Sequence, residues 1–296
     1  MRASLTAASE TAVNAPLEFA AQIEAIAAGL KAGDIIPYLG PGVLALEPAN
    51  DNLPVEPVAL ATFLSKRSAV PSRIRRNAPA AAQYIENFKH RKTLRALMLE
   101  AYAQPAVPTG LHRLLAKLQP PLVVDANYEN AMASVLAEQT ARSWGQLQGV
   151  SRAEFREAWV APYDAAGTQV AEALAMNWQT VLYKPLGGVK PAGNFIVSDS
   201  DFVEVLTEID IQTPIPDVVK ARRSGKTYLY LGCRFRDQLA RTYVRQLAKR
   251  SSEGGHWAIL SEPLTRNEAR FVKEVGINVL PLTLPEFVAA LEKQLG

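Results

Sequence analysis

The sequence predicts a doubly wound α/β domain on a mostly parallel sheet, and three observations carry that expectation. A continuous apolar run, Ile35-Ile36-Pro37-Tyr38-Leu39, follows directly on a helical stripe and breaks at Gly40-Pro41-Gly42. From Thr227 onward, strand-like and helix-like stretches alternate cleanly, the pattern of parallel strands joined by right-handed crossovers. That first strand-like run, 35–39, is apolar throughout rather than alternating, as strands covered on both faces are.

Taken in order, residues 1–16 form a flexible arm and 17–296 the α/β domain. Phe19, Ile23, Ile26 and Leu30 recur at helical spacing, and Gly33 stops that helix. The first strand is 35–39. Residues 44–56, rich in Pro, Asn and Asp, form a long loop beside the glycines, and a helical insert occupies about 57–118. Leu122-Val123-Val124-Asp125 closes a second strand, 121–125, and a helix follows near 129–140. Ser151-Arg152-Ala153-Glu154 has the capping-box form ahead of Phe155 and Trp159, which predicts a helix or an irregular insert to about 162. Further strands are expected at 180–183, 194–197, 227–231, 256–260 and 277–280. Helices are expected from Ser198 or Asp199 through Leu206, and at 236–250, 266–275 and 285–295. The last two start with capping boxes, Thr265 with Glu268 and Thr283 with Glu286. The result is a Rossmann-like sheet with helical inserts before its second and third strands, and such sheets bind ligands at the carboxyl ends of their strands.

The composition narrows the function classes. With 296 residues, 48% hydrophobic and 21% charged, the chain has ordinary globular values. A net charge of +3 with dispersed basic residues gives no nucleic-acid groove, since the densest cluster, Arg73, Arg75 and Arg76, has no interleaved aromatics. No signal-peptide pattern and no long apolar run occurs, so a cytoplasmic protein without a membrane span is expected. The single cysteine, Cys233, excludes an intrachain disulfide and a thiolate zinc cluster.

Read by themselves, the chemistry-bearing residues allow two accounts each. Glycines at 40 and 42 let backbone approach a ligand, yet a Gly-x-Gly without a third glycine also serves as a plain turn, and Pro41 has no N–H for a phosphate. Asn127, at a strand-to-helix junction, fits a helix cap as well as a ligand contact. His90, His112 and His256 sit at no metal-ligand spacing and read as packed or surface histidines. Arg234 and Arg236 face a phosphate or form a solvated pair. Cys233 has no neighbouring histidine to activate it. Ser224-Gly225-Lys226-Thr227 precedes a strand rather than following one and is not a P-loop.

The turns that end four of the strands resemble those of the sirtuin-like (silent information regulator) NAD-binding family, especially its bacterial branch. They are Tyr38-Leu39-Gly40-Pro41-Gly42-Val43-Leu44, Asp125-Ala126-Asn127-Tyr128-Glu129, Lys184-Pro185-Leu186-Gly187 with Ser198–Phe202 after it, and Leu231-Gly232-Cys233-Arg234-Phe235-Arg236-Asp237. The likeness runs from about Gly33 to Leu295. It implies NAD or a related adenine nucleotide as cofactor, bound over Gly40, Pro41, Gly42, Gly232, Cys233 and Arg234, with Asn127 contacting the ribose on the nicotinamide side. Leu186 stands where the family has its acid–base histidine, and Leu44 replaces a serine of the first loop. Leucine exchanges no proton. The resemblance therefore implies a catalytically degenerate nucleotide-binding protein, a pseudoenzyme acting as a sensor or as a partner subunit, with a protein partner or a second copy of itself. Two alternatives stay open: an NAD glycohydrolase in which water attacks the ribose with help from Glu129 or Asp125, and an interaction protein with a closed pocket. Protein deacylation is not expected, because the zinc module of the deacylases needs four cysteines.

Overall fold

The computed structural model describes residues 18–139, 143–155, 158–211, 215–252 and 254–296; the arm expected at 1–16 lies outside them. Eight strands form one sheet in the order β10-β9-β8-β1-β2-β5-β3-β4. They are β1 (Ile35–Leu39), β2 (Leu122–Asp125), β3 (Trp144–Gly149), β4 (Val160–Asp164), β5 (Thr180–Lys184), β8 (Thr227–Leu231), β9 (His256–Ile259) and β10 (Ile277–Leu280). Every pairing is parallel except β3 with β4. The short β6 (Gly187–Gly188) and β7 (Asn194–Phe195) form a separate antiparallel pair. The chain builds outward from β1 to one side, then returns to place β8 against its other side, so the order reverses between β1 and β8.

Strand residues alternate between two cores. Ile36, Tyr38, Val124, Tyr183 and Tyr230 face one side, which is covered by α6 (Asp199–Ile211), α7 (Asp217–Arg223), α8 (Gln238–Ala248) and α9 (Arg266–Val275). Ile35, Leu39, Val123, Leu182 and Leu231 face the other, under α1 (Ala20–Ala32), α4 (Gly110–Leu118), α5 (Ala131–Ala137) and α10 (Leu284–Leu295). Burial on both faces is the reason the central strands β1, β2, β5 and β8 read as mainly apolar runs. A third cluster lies in the helical insert, where α2 (Pro57–Arg67) and α3 (Ala78–Ala101) pack with Phe195 and Val197.

Pro37 sits inside a central strand, a position that normally rejects proline. Gly40 donates its N–H to Leu231 O on the β8 side, and Leu39 O accepts from Ala126 beyond β2. By alternation, the missing N–H of residue 37 points toward β2, and β2 joins the register only from Tyr38 opposite Val124. The proline costs the β1–β2 ladder one bond at the start of β2, and the pairing with β8 is continuous along β1.

The expected strands and the capped helices are present, with shifts of a residue or two at their ends. Gly33 and Gly276 close α1 and α9 in the left-handed region, at φ 71° each. Both C-terminal capping boxes form: Glu268 N–H donates to Thr265 Oγ1 at 3.3 Å and Thr283 N–H to Glu286 Oε2 at 2.9 Å. The loop expected over 44–56 is partly wound into 3-10 turns at Pro41–Leu46 and Pro48–Asn50. The helix near 129–140 is the shorter α5, and α7 is a helix that no sequence pattern announces.

The stretch to residue 162 is the main correction. Expected as a helix or an irregular insert from Ser151, it is a turn over 152–154 and enters β4 at Val160, and β3, just before it, is a strand that no sequence pattern announces. Ser151 opens a single turn, its Oγ accepting from Ala153 N–H at 3.3 Å and its carbonyl from Phe155 N–H at 2.9 Å, while its hydroxyl donates to Asp201 Oδ1 at 2.6 Å. The strand is hidden because Trp-Gly-Gln-Leu-Gln-Gly is neither an apolar run nor an alternating one. Its glycines make room for neighbours: a Cβ on Gly145 would lie 2.5 Å from the Trp178 ring, and one on Gly149 would lie 2.1 Å from Pro185 O.

Candidate functional site

Strands β1, β2, β5 and β8 are parallel neighbours, so the turns that follow them leave the sheet at one edge. Two of these turns, after β1 and β8, flank the point where strand order reverses, the place where open α/β sheets take ligands. Here that crevice is drawn together by backbone. Gly40 N–H donates to Leu231 O at 2.8 Å, Gly42 N–H to Gly232 O at 2.9 Å, and Val43 N–H to Gly40 O at 3.2 Å. A Cβ on Gly40 would sit 2.5 Å from Cys233 Sγ, and one on Gly232, at φ +64°, would sit 2.4 Å from Val43 N. These glycines are required by contact between two turns. The N–H groups of Gly40, Gly42 and Val43 are engaged within the protein, and Pro41 has none, so the turn leaves no backbone donor at residues 40–43 for a phosphate.

The turn after β2 is different. Asp125, Asn127 and Glu129 are all buried, and beside them, at the end of β5, Lys184 is fully buried as well. Lys184 Nζ donates to Asp125 Oδ2 at 2.7 Å and to Glu129 O at 2.8 Å. Asp125 Oδ1 accepts two bonds from Asn127, from its backbone N–H and from its side-chain Nδ2, both at 3.0 Å. Asn127 Nδ2 also donates to Gly40 O at 3.3 Å, which places this side chain against the glycine turn. It does not cap α5, whose N-terminal Ala131 N–H is taken by Glu129 Oε2. Glu129 Oε1 has no hydrogen-bond partner among the described residues. Burial, with Asp125 adding to it against the opposing effect of Lys184, pushes the Glu129 carboxyl up to about 7.

His112 closes the cluster from α4. It is fully buried, and its Nδ1 accepts from Thr109 N–H at 3.1 Å in a reciprocal cap of that helix. Burial pushes the imidazole down to about 4, so it is neutral, and Nε2 has no partner.

The remaining positions expected at the site divide. Leu186 packs against the core under α6 to α9, and its carbonyl accepts from Ile196 N–H at 2.9 Å. Cys233 is buried, with its thiol pushed up by burial, which leaves it un-ionised at neutral pH. Arg234 is held by the segment after β9, with two bonds of 3.1 Å to Glu268 and a reach of 3.3 Å to Glu262; Arg236 joins Glu262 at 2.6 Å. The structure thus brings Gly40, Gly42, Asn127, Gly232 and Cys233 together and commits Arg234 to carboxylates. His256 lies within the sheet, accepting from Tyr228 N–H at 3.0 Å, and His90 sits at a kink of α3 with φ 67°.

The pair Lys184–Asp125, the buried Glu129 and the buried His112 are not legible as a group in the sequence. The one available signal is a lysine ending an apolar strand, Tyr183-Lys184, where a parallel strand normally continues apolar. Elsewhere, an open groove of about 310 Å³ lies between α8 and α9, but its arginines have partners: Arg241 binds the carbonyls of Phe235 and Arg236, and Arg245 and Arg270 share Glu274. Among the described residues no group of three or more His, Cys, Asp or Glu is arranged to hold a metal ion, and no helix is long and apolar enough to cross a membrane.

A family model described as the SIR2-like domain matches residues 121–280, which include the Asn127 turn, β5 with Lys184, and β8 to β10. No curated protein matches the chain.

Proposed function

The chain belongs to the SIR2-like domain family, and from that premise we propose that it binds NAD or a related adenine nucleotide such as ADP-ribose at the β1–β2–β5 edge without turning it over. The observation that carries this reading is Asn127, whose amide is fixed beside the glycine turn while its Oδ1 takes no hydrogen bond among the described residues. A free carbonyl oxygen suits a ribose hydroxyl, which donates to it. The fit is limited to that end of the ligand. The glycine turn contributes shape and close approach, not phosphate donors.

Turnover is absent in this reading because Leu186 stands at the acid–base position and Cys233 is a buried neutral thiol. General acid–base assistance contributes about 10²–10⁴-fold in rate, so its loss separates binding from catalysis. A protein of this kind acts as a nucleotide sensor or as the binding subunit of a larger assembly.

A second reading, an NAD glycohydrolase, is favoured by one observation: Glu129 carries a carboxyl raised to about 7 with an unpartnered oxygen. The two are separated by calorimetric titration with NAD and ADP-ribose alongside chromatography of released nicotinamide. Binding without nicotinamide release is the expected result, with binding lost in Asn127→Ala. Robust release by the wild type, abolished in Asn127→Ala, would overturn the non-catalytic reading in favour of the hydrolase.

A further inference from the structure

We infer that Asp125 and Lys184 are positioning residues that set the orientation of the Asn127 amide; the inference rests on the nucleotide-binding reading and deepens it. Both hydrogens of Asn127 Nδ2 have acceptors, Asp125 Oδ1 at 3.0 Å and Gly40 O at 3.3 Å. Rotating the amide by half a turn would set its oxygen against those two acceptors, so only one orientation is allowed, and it leaves Oδ1 as the side-chain atom with acceptor capacity to spare. Asp125 holds the backbone of the same residue too, at 3.0 Å. One carboxylate oxygen therefore fixes both the chain and the side chain of the ligand-facing residue.

A carboxylate at zero exposure is costly to bury without a partner. Lys184 is that partner, at 2.7 Å, and it is equally buried. Its second bond, to Glu129 O at 2.8 Å, holds the far end of the same turn, so 125 and 129 are clamped on one ammonium group. The sequence makes space for the lysine: a Cβ on Gly188 would lie 2.9 Å from Lys184 Cε. Neither charged group is placed to touch a ligand. Their effect passes through Asn127.

Two double variants separate positioning from general support. Asp125→Asn with Lys184→Met removes both charges but keeps an amide oxygen to accept from Asn127, whereas Asp125→Ala with Lys184→Met removes the acceptor as well. Both avoid an unpaired buried charge, the change that most often unfolds a protein. In titrations with ADP-ribose, the alanine double is expected to bind about tenfold or more weakly than wild type, approaching Asn127→Ala, and the asparagine double about tenfold more tightly than the alanine double, the scale of a lost hydrogen-bond set. An alanine double with wild-type affinity, or two doubles equally weak, overturns the positioning role.

A measurement on the wild-type chain decides the point even where a variant does not fold. The side-chain amide protons of Asn127, followed by nuclear magnetic resonance, are expected to exchange with solvent slowly because both are bonded; fast exchange overturns the inference. Absence of wild-type binding to both ADP-ribose and NAD instead overturns the nucleotide reading, and with it the ligand-facing role of Asn127.

Discussion

Ionised Glu129 opposes folding, because burial and then the neighbouring Asp125 disfavour its charge and raise its folded-state pKa to about 7, above the ordinary 4.5. The folded protein binds the extra proton between those values, so the contribution is fully present below about pH 4.5 and is lost as pH rises through 7. A tenfold change in proton affinity is worth about 1.4 kcal/mol, which makes the loss on the order of 3 kcal/mol. Glu129→Gln cannot ionise. Urea denaturation of wild type and variant at pH 4.5 and pH 8 should therefore show the variant gaining on wild type by that order at the higher pH. His112 and His256, both pushed down to about 4, titrate in both proteins and cancel from the comparison. An unchanged difference between the two pH values would mean that Glu129 is ionised throughout. At this scale the sequence reveals Asn127 and the substitution at Leu186, because each stands in a recognisable local string. It does not reveal Lys184 with Asp125, since that bond joins residues 59 apart and depends on β2 lying beside β5.

Among elements, the decisive contact is between the turns after β1 and β8. Gly232 is at φ +64°, where a side chain is strained by roughly 1–2 kcal/mol, and its added Cβ would meet Val43 N at 2.4 Å. That neighbour is backbone and is itself bonded to Gly40 O, so it cannot move without opening the β1 turn. Gly42 is milder, as its added Cβ would meet Gly232 Cα and O at 3.1 Å, a distance relieved by small shifts. Gly232→Ala is expected to destabilise by about 3 kcal/mol, combining left-handed strain with overpacking, and Gly42→Ala by about 1 kcal/mol. Thermal unfolding of the two variants tests the order; equal losses would mean that the turns do not rest on one another. The glycines are legible in the sequence as a bend, but their reason is not, because the partner turn comes almost two hundred residues later. Strands β3 and β4 escape for a related cause. Gln146 and Gln148 are buried polar residues bonded to each other at 2.8 Å, and no periodicity announces a strand stabilised that way.

Across the whole molecule, one buried carboxylate joins the helical insert to the sheet. Asp201 Oδ2 accepts from Arg91 of α3 at 2.8 Å and from the backbone N–H groups of Val197 and Ser198, both at 3.0 Å, while Oδ1 accepts from Ser151 beyond β3. Arg91 also reaches Phe195 O and Glu86, so a single ion pair connects α3, the β6–β7 segment and the turn between β3 and β4. The Ser198–Phe202 string stands out in the sequence for its resemblance alone, and its structural work is visible only with α3 lying across it. Arg91→Met leaves Asp201 with three neutral donors, so the carboxylate stays solvated by the protein and the loss should be about 3 kcal/mol, the low end for breaking a buried pair. Asp201→Ala removes every one of those bonds and leaves the Arg91 guanidinium, whose side chain is only 13% exposed, with the longer pair to Glu86 at 3.3 Å and the Phe195 carbonyl. Its cost should exceed that of Arg91→Met. Hydrogen exchange locates the effect: in Asp201→Ala the amides of 86–95 and 195–201 should lose protection together, while those of β8 to β10 keep theirs. Loss of protection confined to 195–201 would show that α3 is held by its own apolar contacts in the insert and not by this carboxylate.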